Sequence, residues 1–457
     1  MATCPSVAER LATGKALRRQ VSRRAHGELN IASDRQDPIA ILEAQAQTRL
    51  PELVPVRYAR MLTSPFAFLR GSAAVMIGDI AHAPTIGVQV QACGDMHVAN
   101  FGVFASAERN LVFGINDFDE THIGAWEWDL KRLTASAVVA GRFLGGDRAL
   151  CEEAAQTVVQ SYRNRMREYA HFGYLELWYA NIREDDLLKV LPPESRKRAV
   201  TIAAKARHRT HLQVLDKMTD LIDNQQRIVE THPLIVRAQT TSSGRPISEA
   251  LELLLQDYLA SMGADRRFLL SRYRILDVAR KVVGVGSVGT RCWVIYMQGR
   301  DTEDPLFLQV KEAQPSVLAS YAGNSPTPVP ANQGQRVVDG QRLIQGAPDI
   351  FLGWGEQDGF QYYVRQLRDM KGGVEFDPTK FKVTNLPAYC DICGWALALA
   401  HAKSGDAAIL AGYMGKSEEF DEAIAKFAHT YADQTERDYD RLAAAARQGR
   451  IQVANKF

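Results

Sequence analysis

The sequence is poor in cysteine, with six in 457 residues, and it carries almost no net charge. So few cysteines exclude a disulfide framework, which small secreted chains need in place of a core. One pair, Cys390 and Cys393, has CxxC spacing. Structural zinc wants four ligands and no second pair exists, so these two read as buried, inert thiols. Reduced thiols predict a cytoplasmic setting. No run approaches the ~20 apolar residues of a spanning helix, so no membrane partner is expected. The first twenty residues lack the apolar core of a signal peptide. Lys+Arg total 55 and Asp+Glu 53, a net charge of +2. A nucleic-acid coat needs a strong basic excess, so no nucleic-acid partner is expected. The local basic cluster Arg18, Arg19, Arg23 and Arg24 reads as a solvated helix face, the other reading being an arm to an anionic partner. Walker A text and internal repeats are absent.

What is present is an ordinary globular composition, 46% hydrophobic and 24% charged. Such a chain can bury enough apolar surface to offset its ordering entropy. Its length allows two or three domains. Residues 1–50 read as a polar helical extension. Residues 51–271 read as a helical lobe with strands at 85–93, 101–104 and 110–117. Helices are predicted there at 128–143, at 152–170 and from Pro193 to about Asp223. Residues 272–373 read as a small antiparallel β lobe, with three strands in 273–313. A loop at 323–335, a short helix at 336–345 and a hairpin within 349–370 follow. Residues 374–457 read as helices that complete the large lobe.

Three pieces carry chemistry. The first is CGDMHVANFG, residues 93–102, with Asp95 and Asn100 after a strand. INDFDE, residues 115–120, puts Asp117 and Asp119 at the end of another. Oxygen ligands converging from strand ends suit Mg²⁺, which takes carboxylates plus substrate phosphates. Asn100, Asp117 and Asp119 are therefore candidate metal ligands. Turn capping is the plainer reading of Asp95 or Asn100 alone.

The second piece is GVGSVG, containing Gly284, Gly286, Ser287 and Gly289. A dinucleotide-binding fold needs a helix directly after such glycines. Here TRCWVIYMQG follows, which is strand-like. The glycines thus sit between two strands, like the flap over a nucleotide's phosphates in kinases. The third piece is Lys311 on the next strand, able to meet those phosphates as a point charge. Side chains alternate along a strand, so Glu312 faces away from Lys311. The best local carboxylate partner for Lys311 is Asp339.

Together these pieces resemble a kinase fold of the aminoglycoside-phosphotransferase kind. GDMHVAN resembles its catalytic loop, and INDFD its metal-binding strand end. GVGSVG and VK resemble the glycine flap and its lysine. Asp129 in EWDL resembles the Asp that braces the catalytic loop from a helix. LALAHA, residues 397–402, resembles the helix ending in Leu-x-His that leads into that loop. The order is circularly permuted, with the break between that helix and the loop. Asp117 matches the Asp of an Asp-Phe-x strand end and is favoured over Asp119 as the main metal ligand. Across the whole chain, SPFAFLRG, GDMHVANFG, EWDLKRL, VGVGSVGTR and HAKSGDA resemble the bacterial family catalogued as domain of unknown function 2252. That family brings no substrate.

The resemblance implies an α+β, two-lobed, kinase-like fold in permuted order. It implies an ATP- and Mg²⁺-dependent phosphotransferase acting on an unknown hydroxyl-bearing substrate. Asp95 would accept the hydroxyl proton. Asn100 and Asp117 would hold Mg²⁺, with Asp119 assisting. Lys311 and the 284–289 backbone would position the nucleotide. The alternatives are a nucleotide-binding, pseudokinase-like regulatory module, an AMP transferase, and a metal-dependent phosphoesterase. The last needs more ligands than His122 and His401 supply. Residues 145–270 are expected to shape acceptor choice. Arg57, Arg60 and Arg70 are expected to form structural ion pairs rather than an anion site.

Overall fold

Helix Trp126–Phe143 is buried along nearly its whole length. It lies at the centre of the core, packed against helices Arg148–Tyr169 and Glu419–Arg447, and it buries Glu127, Asp129, Lys131 and Arg132 along with its apolar residues. Helix Leu386–Ser404 lies tightly on Arg148–Tyr169. At their contact a Cβ on Gly394 would meet the Val158 carbonyl oxygen at 2.3 Å, so only glycine permits the approach. This computed structural model describes residues 5–208, 211–222, 225–241, 243–323, 329–367 and 370–455. The fold is mixed α+β, and its sheets are antiparallel. Among the described residues no helix is long and apolar enough to cross a membrane. Cys390 and Cys393 are buried in helix Leu386–Ser404, and burial pushes both thiols up, away from reactivity.

The N-terminal segment docks on the C-terminal helices. Helix Val7–Leu17, opened by a Ser6–Glu9 capping box, packs on helix Ala407–Met414. The basic cluster is only partly a solvated face. Arg18 donates to the carbonyls of Tyr413 and Gly412 (both 2.7 Å), and Arg23 to that of Met414 (2.9 Å). These are the open carbonyls of a helix C-terminus, where a cation is favoured. Beside them, buried His26 meets the Tyr413 hydroxyl at 2.6 Å. Burial, with Lys131 adding, pulls the His26 imidazole down to about 3. The unfolded chain binds this proton below about pH 6.5 and the folded chain does not, so stability falls as pH drops. From pH 7 to 5 this group should cost about 2 kcal/mol. Urea denaturation at both pH values should show the drop in wild type and a smaller one in His26→Gln. Equal drops would count against it.

The predicted meander is present as strands Arg274–Lys281, Cys292–Gln298 and Pro305–Glu312, each antiparallel to the next. Helix Gln333–Ile344 follows, starting earlier than predicted because the Asn332 side chain caps it. Residues 324–328 of the predicted loop lie outside the described residues. Hairpin Gly353–Gln357/Phe360–Gln366 turns at Asp358 and Gly359, both at positive φ. Its second strand pairs with Pro305–Glu312, which becomes central. The sheet order is Gly353–Gln357, Phe360–Gln366, Pro305–Glu312, Cys292–Gln298, Arg274–Lys281, Ile235–Val236.

The sheet is covered on both faces, as strand alternation requires. Leu254, Tyr258 and Met262 pack with Ile295, Leu308 and Val364. Val214, Met218 and Ile228 pack with Val294, Tyr296 and Phe307. The sequence boundary at 271 therefore divides groups that share one core, and the covering segments belong with the sheet. The helix predicted to reach Asp223, itself outside the described residues, is described over Pro193–His208. Residues 209–210 lie outside the described residues, and helix His211–Met218 runs into the antiparallel pair Thr219–Ile222/Gln225–Ile228. Burial of Met218 and Ile228 against the sheet overrides the local helical pattern.

Candidate functional site

Strand Gln89–Ala92 leads to Gly94, whose φ of +84° suits glycine. Asp129, from the central helix, accepts from the backbone N–H groups of Cys93 (2.6 Å) and Gly94 (2.9 Å). Its Oδ2 also meets His401 Nε2 at 3.3 Å. Two residues distant in sequence thus fix the backbone just before Asp95. The Gln91 N–H donates to Ser404 Oγ (3.0 Å), so the end of helix Leu386–Ser404 abuts the strand entering this loop.

Asp95 Oδ1 accepts from Arg132 Nε at 2.9 Å and also from Nη2. Arg132 is buried and donates further to the Leu69 carbonyl (2.7 Å). Asp95 Oδ2 lies 3.9 Å from His97 Nε2. Burial holds that imidazole neutral, pulling it down to about 3, and Asp95 offsets only part of the effect. Asn100 Nδ2 donates to the carbonyls of Asp95 (3.3 Å) and Asp117 (3.1 Å), tying the two acidic segments together.

Strands Phe101–Ala105 and Leu111–Ile115 form the hairpin that delivers Asp117 and Asp119. Asp119 is fully engaged. Tyr363 Oη donates to its Oδ1 (2.7 Å), while Ser287 Oγ (2.9 Å) and Lys311 Nζ donate to its Oδ2. Asp117 is not. Its Oδ1 is 3.6 Å from Lys311 Nζ and has no hydrogen-bond partner, although that atom is buried. Burial pushes the Asp117 carboxyl up, but Lys311 and Arg365 outweigh it and hold the group below the usual carboxylate range. Burial alone would lower Lys311, yet Asp117 and Asp119 keep it above the ordinary lysine range.

The carboxylates of Lys311 are therefore Asp117 and Asp119, not Asp339. Helix Gln333–Ile344, which carries Asp339, turns a cation toward the acidic loop instead. Buried Arg336 donates to the carbonyls of Asp119 (2.9 Å), Thr121 and Gln314 (2.8 Å). Glu312, on the opposite face from Lys311, pairs with Arg291 (3.1 Å).

The glycines 284–289 lie in the loop between antiparallel strands, as the sequence pattern predicts. This loop covers Asp95. A Cβ on Gly286 would stand 3.3 Å from the Arg70 carbonyl oxygen and 3.9 Å from Asp95 Oδ2. The loop is tethered by a segment whose part in the site the sequence reading missed. The Gly289 carbonyl accepts from the Leu50 N–H (2.8 Å), Val288 from Arg49, and Gly284 from Arg60. The only sequence signal was the arginine spacing in residues 49–70.

An open cavity of about 260 Å³ lies here, with Asp95, His97, Asn100, Asp117, Gly286 and Ser287 among its lining. A second, of about 300 Å³, meets it at Asn116, Arg365 and Lys371. Burial, aided by Arg365, pulls the Lys371 amine down to about 7. Of residues 145–270, expected to shape acceptor choice, none of the described ones lines the first cavity, whereas residues from 45–73 do. Among the described residues no three His, Cys, Asp or Glu side chains group as a metal site.

The chain is thus an α+β protein in which acidic residues, a buried lysine and a glycine loop meet around one cavity. The family described as "Uncharacterized protein conserved in bacteria (DUF2252)" matches residues 49–445, and the chain belongs to that family. No curated protein and no solved structure matches it.

Proposed function

We propose that the protein is an ATP- and Mg²⁺-dependent phosphotransferase with a two-lobed, kinase-like, circularly permuted fold, acting on a hydroxyl-bearing acceptor. The observation that carries this reading is the convergence of Lys311, Asp117, Asp119 and the 284–289 loop beside Asp95. A lysine on the third strand after a glycine hairpin, followed by a helix and a strand pair, supports it. The contact between Ser404 and Gln91 supports the permutation, which needs the joined ends to be neighbours.

Asn100 and Asp117 are the residues that would hold Mg²⁺. The buried, unbonded Oδ1 of Asp117 suits a hard cation that prefers oxygen. When bound, the ion would neutralise phosphate charge. Asp119 can assist only by giving up donors it already has. Lys311 would exchange Asp119 for a phosphate oxygen. Asp95, oriented by Arg132, would take the acceptor's proton. Catalysis of this kind is mostly positioning and charge stabilisation.

The closed Lys311–Asp119–Ser287–Tyr363 cluster favours one second reading, a regulatory module that binds nucleotide without turnover. Mg-ATP should raise the melting temperature of the wild-type chain. Gly286→Val fills the space above Asp95, so that shift should vanish while the ligand-free melting temperature stays within a few degrees. Transfer of the γ-label of ATP identifies phosphotransfer, and transfer of the α-label identifies AMP transfer. Without stabilisation of wild type by Mg-ATP the nucleotide reading falls. Stabilisation without turnover leaves the regulatory module.

A further inference from the structure

Three arginines lining the Asp95 cavity have no acidic partner. Arg49, Arg57 and Arg70 all border it. Among the described residues, no carboxylate lies within ion-pair distance of any of them. This corrects the expectation of structural ion pairs for Arg57 and Arg70. Two other buried arginines pair with carboxylates, Arg163 with Asp421 (2.7 Å) and Arg132 with Asp95, and a third, Arg336, has three backbone carbonyls instead.

The unpaired state is visible atom by atom. The Nε of each of the three is buried without a hydrogen-bond partner. Arg57 Nη2 donates to Gln45 Oε1 (2.9 Å) and the Gly71 carbonyl (3.1 Å), and its Nη1 to the Leu42 carbonyl (3.5 Å). Arg49 uses one on the Val288 carbonyl. Arg70 has only the Phe66 ring, 5.9 Å from its guanidinium carbon. Arg49 and Arg57 are 9% and 1% exposed. Burial pulls all three guanidinium groups below their ordinary value. Glu120, Glu312 and Asp119 act on Arg49 and offset only part of its burial. Cations buried without an ion-pair partner are costly, and an anion entering the cavity would offset that cost.

We propose that Arg49, Arg57 and Arg70 bind the phosphate group of a phosphorylated acceptor beside Asp95. The word acceptor rests on the phosphotransfer reading; the anion site does not. Several guanidinium forks in the lining of one cavity suit a tetrahedral oxyanion, which offers more acceptor atoms than a carboxylate. Donor phosphates would already have Lys311 and the glycine-loop backbone. The arginines come instead from residues 49–70, which carry none of the kinase-like pieces. The acidic groups felt by Arg70 are Asp95 and Asp117, the candidate base and metal ligand. The cavity, about 260 Å³, fits a small molecule.

The test uses the full chain without added acceptor. Inorganic phosphate, with acetate as the carboxylate control, is titrated by calorimetry into wild type, Arg70→Met, Arg49→Met and Arg70→Lys. Circular dichroism confirms that each variant is folded, and Arg70→Lys covers the case in which a methionine variant does not fold. Phosphate should bind wild type more tightly than acetate and about tenfold or more weakly to the methionine variants, with Arg70→Lys intermediate. Binding of a non-hydrolysable Mg-ATP analogue should stay within about threefold of wild type in the two Arg70 variants, while Arg49→Met, which also frees a tether of the glycine loop, is read for phosphate alone. No phosphate binding by wild type overturns the proposal. Equal loss of phosphate and nucleotide binding overturns the acceptor assignment, because the arginines would then hold the donor. Phosphate binding lost in the variants, with no nucleotide binding by wild type, supports the anion site and removes the nucleotide reading.

Discussion

Asp95→Asn is expected to lower Mg-ATP-dependent transfer by about 10²–10⁴-fold, the range for losing a positioned general base. The change is nearly isosteric. Asparagine keeps an oxygen that can accept from Arg132, so the arginine is not stranded. What is lost is the charge opposite a buried guanidinium, which should cost about 1–3 kcal/mol of stability. Initial rates and a urea midpoint, measured on the same preparation, separate the two effects. A rate loss with Mg-ATP affinity retained identifies a group acting on the acceptor. An unchanged rate in a folded variant would remove Asp95 from the chemistry, and the hydroxyl-acceptor reading with it.

Much of this site was legible because its pieces are local. Asp95 with Asn100, Asp117 with Asp119, and the 284–289 glycines each lie within a few residues, so the turn that carries them also sets their spacing. The meander was legible because strand alternation and the Gly/Asp turn are local too. Glu312 faces away from Lys311 for the same reason. The partner of Lys311 was not legible. A strand lysine takes its carboxylate from whatever the tertiary fold brings over it, here a loop from the other end of the chain. Asp339 is nearer in sequence, but its helix turns Arg336 to that loop.

The arginines failed as a sequence signal for a related reason. Arg18, Arg23, Arg49, Arg57 and Arg70 look alike as letters. The fold sends Arg18 and Arg23 to the carbonyl end of a helix, where they satisfy backbone. It buries Arg49 and Arg57 at a cavity wall with polar atoms unbonded. Burial and partner count separate a capping arginine from a ligand-binding one, and both are tertiary properties. The same holds for residues 211–270. Their local pattern reads as helical-lobe insert, but Leu254 and Tyr258 find their apolar surface on the sheet.

Lys311→Met should have the largest combined effect on stability and binding. In the folded chain Lys311 bridges Asp117 and Asp119 while only 3% of its side chain is exposed. Breaking a fully buried pair costs ~3–5 kcal/mol. Here the carboxylates are 46% and 26% exposed, so solvent screens them and about 2 kcal/mol is the expected loss. The pH dependence gives the mechanism its sign. In wild type the Asp117 carboxyl is held low, so its share of stability is present above the unfolded value and fades in acid. Without the lysine, burial and Asp95 are opposed only by Arg365 and Lys371, so that carboxyl lies higher than in wild type. The folded variant then binds more protons than folded wild type, and its deficit against wild type should shrink as pH falls below 7. Urea midpoints across that range read the convergence. Lys311→Met/Asp119→Asn should recover part of the stability at pH 7, since no unpaired charge remains at Asp119, yet neither variant should recover Mg-ATP binding. Stability and nucleotide affinity would then respond to different changes at one residue. Wild-type affinity for Mg-ATP in the single variant would make Lys311 a structural cation, and the regulatory and phosphotransfer readings would both lose their phosphate contact.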